Sequence, residues 1–383
     1  MNRQLLNKVP QITVFFWLIK ILCTTVGETF ADFINFNLGI GLTATTILMG
    51  VALAVSLFFQ FRAHGYRPFT YWLTVVLLSV FGTLVTDNMT DNMGVPLEVS
   101  TAIFSVLLAL TFGMWYISER TLSIHSIYTV RREVFYWLTI LFTFALGTAV
   151  GDLYSEQLGF GYLYTGIGVA AIIALIYMAY RYLKLNGILA FWAAYILTRP
   201  LGASLGDLLS QPAKNGGLGL GTTVTSIIFL VLILGIIIYL AKTKVDHTDE
   251  NVAMTEVSSN KGAKWQTVAL LAIFLIVGIG TYQLRMQTIA PHTTTLKGQL
   301  TAFIKTEEKI KNAKDKLVMK QGADQLEHDW DQQEPALRAI GAKKWTSVDT
   351  TIDGVLSAVR QSGDQTKVQQ AVTQSEQVMQ SIN

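Results

Sequence analysis

One frame recurs four times in this chain, each time inside an apolar run long enough to cross a bilayer. A tryptophan preceded by Phe or Tyr opens it, at Trp17, Trp72, Trp137 and Trp192. Ten residues on stands a glycine: Gly27, Gly82, Gly147 and Gly202. Fifteen residues on stands an aspartate: Asp32, Asp87, Asp152 and Asp207. A Leu/Met-Gly-x-Gly/Pro turn follows as LGIG (38–41), MGVP (93–96), LGFG (158–161) and, displaced by an insertion in QPAKNG, LGLG (218–221). Four residues past each turn lies a hydroxyl: Thr45, Ser100, Thr165 and Thr225. Aspartate is costly in an apolar helix, so its recurrence at one register demands a reason.

The tryptophans are spaced 55, 65 and 55 residues apart. Each unit therefore holds two crossings, and a unit with two crossings returns the chain to its starting side. All four repeats then share one orientation, related by an axis along the membrane normal. With 51% hydrophobic and 14% charged residues, the chain is too apolar for an ordinary soluble protein. Charge is unevenly spread: residues 1–283 hold 30 Lys, Arg, Asp and Glu, and residues 284–383 hold 25. Runs of spanning length lie near 11–31, 40–61, 69–87, 98–117, 135–154, 161–180, 187–206, 219–241 and 265–283. The expected fold is all-α and polytopic, with about nine transmembrane helices and a small outer helical bundle. Residues 1–241 form the four-repeat, eight-helix domain, 242–264 a linker, 265–283 the ninth span and 284–383 the bundle. The first run carries Lys20, Glu28 and Asp32 and no small-residue cleavage site, so it reads as a span and not as a signal peptide.

Basic residues alternate between the loops. Thirteen fall on one side, from Arg3 and Lys8 to Lys261 and Lys264, against Lys214 alone on the other. The positive-inside rule then places the N-terminus in the cytoplasm and the C-terminal bundle outside. These loops account for the net charge of +3, so no nucleic-acid partner is expected. Cys23 is the single cysteine, which excludes a disulfide framework and a CxxC metal motif. No phosphate-binding glycine loop, HExxH or Ser/His/Asp set is present, so an enzyme is not expected.

Small residues at Gly27/Ala31, Gly82/Thr86, Gly147/Gly151 and Gly202/Gly206 suit close helix packing. Steps of four align Lys20, Thr24, Glu28 and Asp32 on one face of the first helix. The same stripe reads Ser79, Thr83, Asp87, Asp91 in the second repeat and Thr148, Asp152, Glu156 in the third. In the fourth it reads Tyr195, Arg199, Ala203, Asp207. A polar stripe on an apolar helix faces a partner or a wet cavity. If the tryptophans mark an aromatic belt, the carboxylates lie about 22 Å above it, in the outer third. Two readings follow for the aspartates: a shared carboxylate cluster for a cation, or private bonds to each glycine turn closing a helical hairpin. Glu28 and the hydroxyls Thr45, Ser100, Thr165 and Thr225 belong to the proposed metal set. Lys20 and Arg199, each unique to one repeat, are candidates for balancing charge or gating. Pro200 is expected to kink its helix.

In the last hundred residues, helices are expected near 295–318, 320–340, 344–361 and 366–382, punctuated by Gly322, Gly341 and Gly363. Glu327, Asp331 and Glu334 share a face that reads chiefly as solvated.

The segments FWLIKILCTTVGETFAD, FYWLTILFTFALGTAVGD and FWAAYILTRPLGASLGD resemble a bacterial repeat of unknown function. It occurs in membrane-anchored proteins described as uncharacterised, and the resemblance covers about residues 9–241. It implies a multi-spanning bacterial inner or plasma membrane protein and no particular substrate. WDQQEPALR, with Trp345, Asp349 and Asp353, is more weakly similar to small helical modules of bacterial metal permeases. The leading expectation is a secondary transporter of cations, a divalent metal such as manganese being the substrate and no resident cofactor being needed. The alternative is a membrane sensor or scaffold whose outer bundle binds a partner. The bilayer and a small cation are the expected partners, and a homo-oligomer stays open.

Overall fold

The computed structural model of the protein describes residues 7–34, 41–213, 216–246, 263–289, 296, 298–361 and 364–382. Arg3, Lys214, His247, Lys261, Gly363 and most of the LGIG turn and linker lie outside these residues, as does the side chain of Glu334. Eight helices make up the repeats: α1 (Val14–Asp32), α2 (Leu42–Arg62), α3 (Pro68–Asp87), α4 (Leu97–Glu119), α5 (Val130–Asp152), α6 (Gly161–Tyr182), α7 (Gly187–Ser210) and α8 (Gly221–Thr243). A ninth, α9 (Ala263–Ile289), precedes the bundle of α10 (Thr301–Asn312), α11 (Lys316–Gln361) and α12 (Gln365–Ile382). Among the described residues nine helices are long and apolar enough to cross a membrane, and this is a membrane protein.

Local chemistry explains where the inner helices start. Thr13 caps α1 and Thr129 caps α5 through their side-chain oxygens, Asn186 caps α7, and Pro68 opens α3. At the other end the Leu-Gly-x-Gly turn needs left-handed backbone. Gly159 and Gly161 have φ of 62° and 75°, and Gly219 and Gly221 have 74° and 77°. Only glycine adopts such angles without steric cost.

The odd-numbered helices form a closed inner ring: α1 packs on α3, α3 on α5, α5 on α7, and α7 back on α1. The frame glycines are the contact points. A Cβ at Gly82 would stand 2.8 Å from the Phe144 Cβ, and one at Gly147 would stand 2.5 Å from the Arg199 Cβ. Gly27 faces Ser79 in the same way, and Gly202 faces Thr24, which closes the circle. Each glycine lets the next repeat's helix approach, as small residues do where water does not drive association.

The even-numbered helices pack chiefly outside their own repeat, α8 also touching its own first helix, α7. Helix α2 packs on α3, α4 on α5, α6 on α7 and α8 on α1. The hairpin expected within each repeat is thus replaced by a swap, because the frame glycine already commits each first helix to its ring neighbours. Of the residues in the spanning windows, 61–67% are buried in the inner helices, 11–33% in the outer ones and none in α9. In α2 the buried set is Thr45, Met49, Leu53, Ser56 and Gln60, a single narrow stripe.

The tryptophans are not a lipid-facing belt. Trp72, Trp137 and Trp192 are buried in the main apolar core together with Tyr71, Tyr136 and Tyr195. The depth inferred from a belt therefore does not apply. What stands is their relation to the aspartates, which occupy the opposite end of the same helices. Pro200 lies within α7 without ending it. In the bundle, α11 is interrupted at Gly341, so four helical segments are present, but the first join falls at 313–315 and Gly322, expected at a join, lies inside α11.

Candidate functional site

Three inner helices, α1, α3 and α5, end at their aspartates, and α7 runs three residues past Asp207 to Ser210. Asp87 is followed by a π-helical turn, Asn88–Asn92, and Asp152 by another, Leu153–Gln157. Such turns widen the helix and re-aim the next side chains. They carry Asp91 and Glu156 to the same side as the aspartates one turn earlier. Gln211 holds the equivalent place, four residues after Asp207.

All four frame aspartates line one cavity of about 190 Å³ at this end of the ring. Glu28, Asp91 and Glu156 line it as well, beside Gln211 and Thr90. Asp207 is buried, and the other three aspartates are half-buried. Among the described residues, none of the four carboxylates bonds to its own turn. The turns are held by other groups: Thr90 donates to the Thr86 carbonyl at 3.2 Å and Ser155 to the Gly151 carbonyl at 2.8 Å. The turn after Asp32 lies almost wholly outside the described residues, so it is at Asp87 and Asp152 that the private-bond reading finds no bond.

Arg199 floors the cavity. Its guanidinium is completely buried and reaches a group from each of the other three repeats. Nη2 pairs with Glu28 Oε2 at 2.6 Å and donates to Thr148 Oγ1 at 2.8 Å and to Thr83 Oγ1. Nη1 donates to the Thr24 carbonyl at 2.8 Å. One planar cation thus ties the four stripes together on the axis, a use that suits the fixed fork of arginine.

Lys20 does not share this role. It sits two helical turns below Glu28, about 12 Å along the helix, and its Nζ rests 3.7 Å from the Phe144 ring centroid and 4.1 Å from that of Tyr195. The expectation that Lys20 neutralises the acids is corrected: Arg199 does so alone among the inner-helix cations. The four hydroxyls are also not part of the cavity lining. Thr45, Ser100, Thr165 and Thr225 are buried on the outer helices. Ser100 donates to the Leu97 carbonyl at 3.1 Å and Thr225 to that of Gly221 at 2.8 Å. Their common register reflects the common turn and not a common ligand. Nor do the acids form a ready chelate: among the described residues, no three His, Cys, Asp or Glu groups are arranged to hold one metal ion. Asp32, Asp87, Asp152, Asp207 and Glu28 line an acidic chamber wider than a closed chelate.

The bundle adds a residue that the repeats do not hint at. Arg338 of α11 lines the same cavity, and its guanidinium lies 4.6 Å from the Trp345 ring centroid. Helix α11 rests against the turns after α3 and α5. Burial, then the negative charges of Asp91 and Glu327, push Asp353 on the same helix up to about 7. The bundle therefore sits over the mouth of the acid chamber.

A family model for a Repeat of Unknown Function (DUF347) matches residues 15–66, 70–121, 135–185 and 190–246. The chain belongs to this family. No curated protein and no solved structure matches it. The four copies of the family repeat coincide with α1–α2, α3–α4, α5–α6 and α7–α8. The chamber thus takes one aspartate from every copy, whereas Arg199 comes from the last copy and Arg338 from outside the repeats.

Proposed function

We propose that this protein is a secondary transporter of small cations, with a divalent metal such as manganese as the leading substrate. The reading rests on one observation: four equivalent aspartates, from four equivalent helices, line a single chamber. Carboxylates in a membrane domain are retained for function more often than for packing. A chamber that surrounds a cation without three acids closing on it suits an ion that keeps part of its water, as hard divalent ions tend to do. Arg199, paired with Glu28 of the lining, keeps the chamber from being a bare anion cluster. The loop charges favour an N-terminus in the cytoplasm and the acid end outside, and the resemblance of the repeats implies a bacterial inner or plasma membrane. Inward movement of one positive charge then gains about 2.3 kcal/mol per 100 mV.

The test is metal flux into liposomes carrying the purified full chain. Asp152→Asn and Asp32→Asn are expected to lower manganese uptake at least tenfold while leaving the folded fraction unchanged. Wild-type uptake equal to that of empty liposomes, across manganese, magnesium, calcium, iron and zinc, would reject transport. The second reading, a sensor whose bundle reports on the chamber, draws support from Arg338 in the cavity wall. It requires ion-dependent exposure of α11 without flux.

A further inference from the structure

We propose that Lys20 carries protons along the axis of the repeat ring, which makes the proton the coupling ion of the transport reading above, on which this proposal rests. Lys20 is completely buried, and its Nζ has no hydrogen-bond partner. An amino group offers three donors, and leaving all of them unused in a packed core is expensive. The equivalent positions in the second and third repeats, four residues after Tyr71 and Tyr136, are Val75 and Ile140. An apolar side chain therefore fits this register, and packing alone does not call for lysine.

The surroundings hold the remaining parts of a relay. Just above Lys20 in the ring, the Ser79 hydroxyl is buried without a partner; beside the lysine, the Tyr195 hydroxyl is as well. Clustered buried polar atoms without protein partners are where internal water binds. Separate hydrogen-bonded sets lie on both sides of this gap. Towards the acid end are the carboxylate of Glu28 and the hydroxyls of Thr83 and Thr148, held in place by Arg199. Towards the other end, the Tyr71 and Tyr136 hydroxyls are 2.5 Å apart, Trp72 donates to Tyr66 at 3.2 Å, and Tyr66 donates to Asp246. By register Lys20 lies between these sets, one turn from the level of Tyr71 and Tyr136 and one turn from that of Arg199.

The site supports both forms of the amine. The faces of Phe144 and Tyr195 lie against the nitrogen and hold its protonated form, and the neutral amine needs no charged partner there. The ionisable groups around it are Cys23 on α1, Arg199 and Tyr195 on α7, Tyr71 on α3 and Tyr136 on α5. In the relay, water on the acid side gives a proton to the amine lone pair, forming the ammonium. The ammonium then gives one proton to water beside the tyrosines and returns to the amine. One proton moves, and only N–H and O–H bonds form and break.

The experiment uses the full chain in liposomes containing a pH-sensitive dye, with the membrane potential clamped and manganese outside. Wild type is expected to show manganese entry that depends on the pH gradient, with protons entering alongside it. Lys20→Met should lose at least nine-tenths of the proton movement yet keep the manganese-dependent thermal shift of the chamber. Lys20→Arg keeps the charge but cannot release its proton, and it should fail equally. Manganese flux indifferent to the pH gradient in wild type overturns the relay and leaves transport standing, a result that needs no variant to fold. Proton movement unchanged in either variant also overturns it. Proton movement lost on substitution, in a wild type that moves no metal, supports the relay and removes the metal.

Discussion

Removing Arg199 tests the floor of the chamber. Its guanidinium is buried and bonds Glu28, Thr24, Thr83 and Thr148, at 2.6 Å to the carboxylate. Arg199→Met keeps much of the side-chain length but strips these partners. Breaking a buried ion pair from one side costs about 3–5 kcal/mol, because the remaining charge loses its compensation. Glu28 would then face Asp32 and Asp207 with no cation below. Glu28→Gln should cost less, about 1–3 kcal/mol, since an amide still accepts from Arg199. Arg199→Met combined with Glu28→Gln removes the stranded charge, so the pair should lose about 2 kcal/mol less than the sum of the single changes. Reversible unfolding in mixed micelles, followed by tryptophan fluorescence, gives the three values. A loss below about 1 kcal/mol for Arg199→Met, or simple additivity within about 0.5 kcal/mol, would refute the view that this cation holds the four stripes together.

Three further expectations follow. Gly147→Val should separate α5 from α7, since a Cβ there already meets the Arg199 side chain at 2.5 Å; loss of the monodisperse peak on gel filtration in detergent would report it, whereas valine at the open Gly168 should be tolerated. Glu307 in the bundle is buried, and burial, with Glu376 adding to it, raises its carboxyl from 4.5 to about 8. Its contribution is complete below pH ~4.5 and lost as pH rises through ~8, so protection of α10 from hydrogen exchange should fall from pH 5 to 9 relative to Glu307→Gln; parallel profiles would contradict this. Arg338→Gln removes a positive charge from the chamber wall and should tighten manganese binding on the order of tenfold in equilibrium dialysis; unchanged or weaker binding would count against a bundle that guards the mouth.

The repeat, its two crossings and the shared register of the aspartates were legible because each leaves a periodic trace in one dimension. The i+4 stripe even pointed to Asp91 and Glu156, which line the chamber. Which helices touch was not legible. Gly27 marks a close approach, but nothing near it names Ser79 as the neighbour, so the swap of outer helices onto the next repeat had no linear signature. The hydroxyls Thr45, Ser100, Thr165 and Thr225 misled for a related reason: a constant distance from a turn fixes height along a helix and not the side it faces. Lys20 and Arg199 looked alike as lone cations, yet two turns of helix separate an aromatic cage from an acid chamber. Arg338 lies beyond the repeats, and only the folding of the bundle against the turns after α3 and α5 brings it to the cavity.

The central claim is that the aspartates of all four repeats face one space. Paired cysteines test it in native membranes: Asp32→Cys with Asp152→Cys, and Asp87→Cys with Asp207→Cys, each in a Cys23→Ser background. A short bifunctional thiol reagent should link both opposite pairs within single chains, and manganese should slow the reaction. Failure of both opposite pairs to link, in protein whose adjacent pairs 32/87 and 152/207 link readily, would contradict the account.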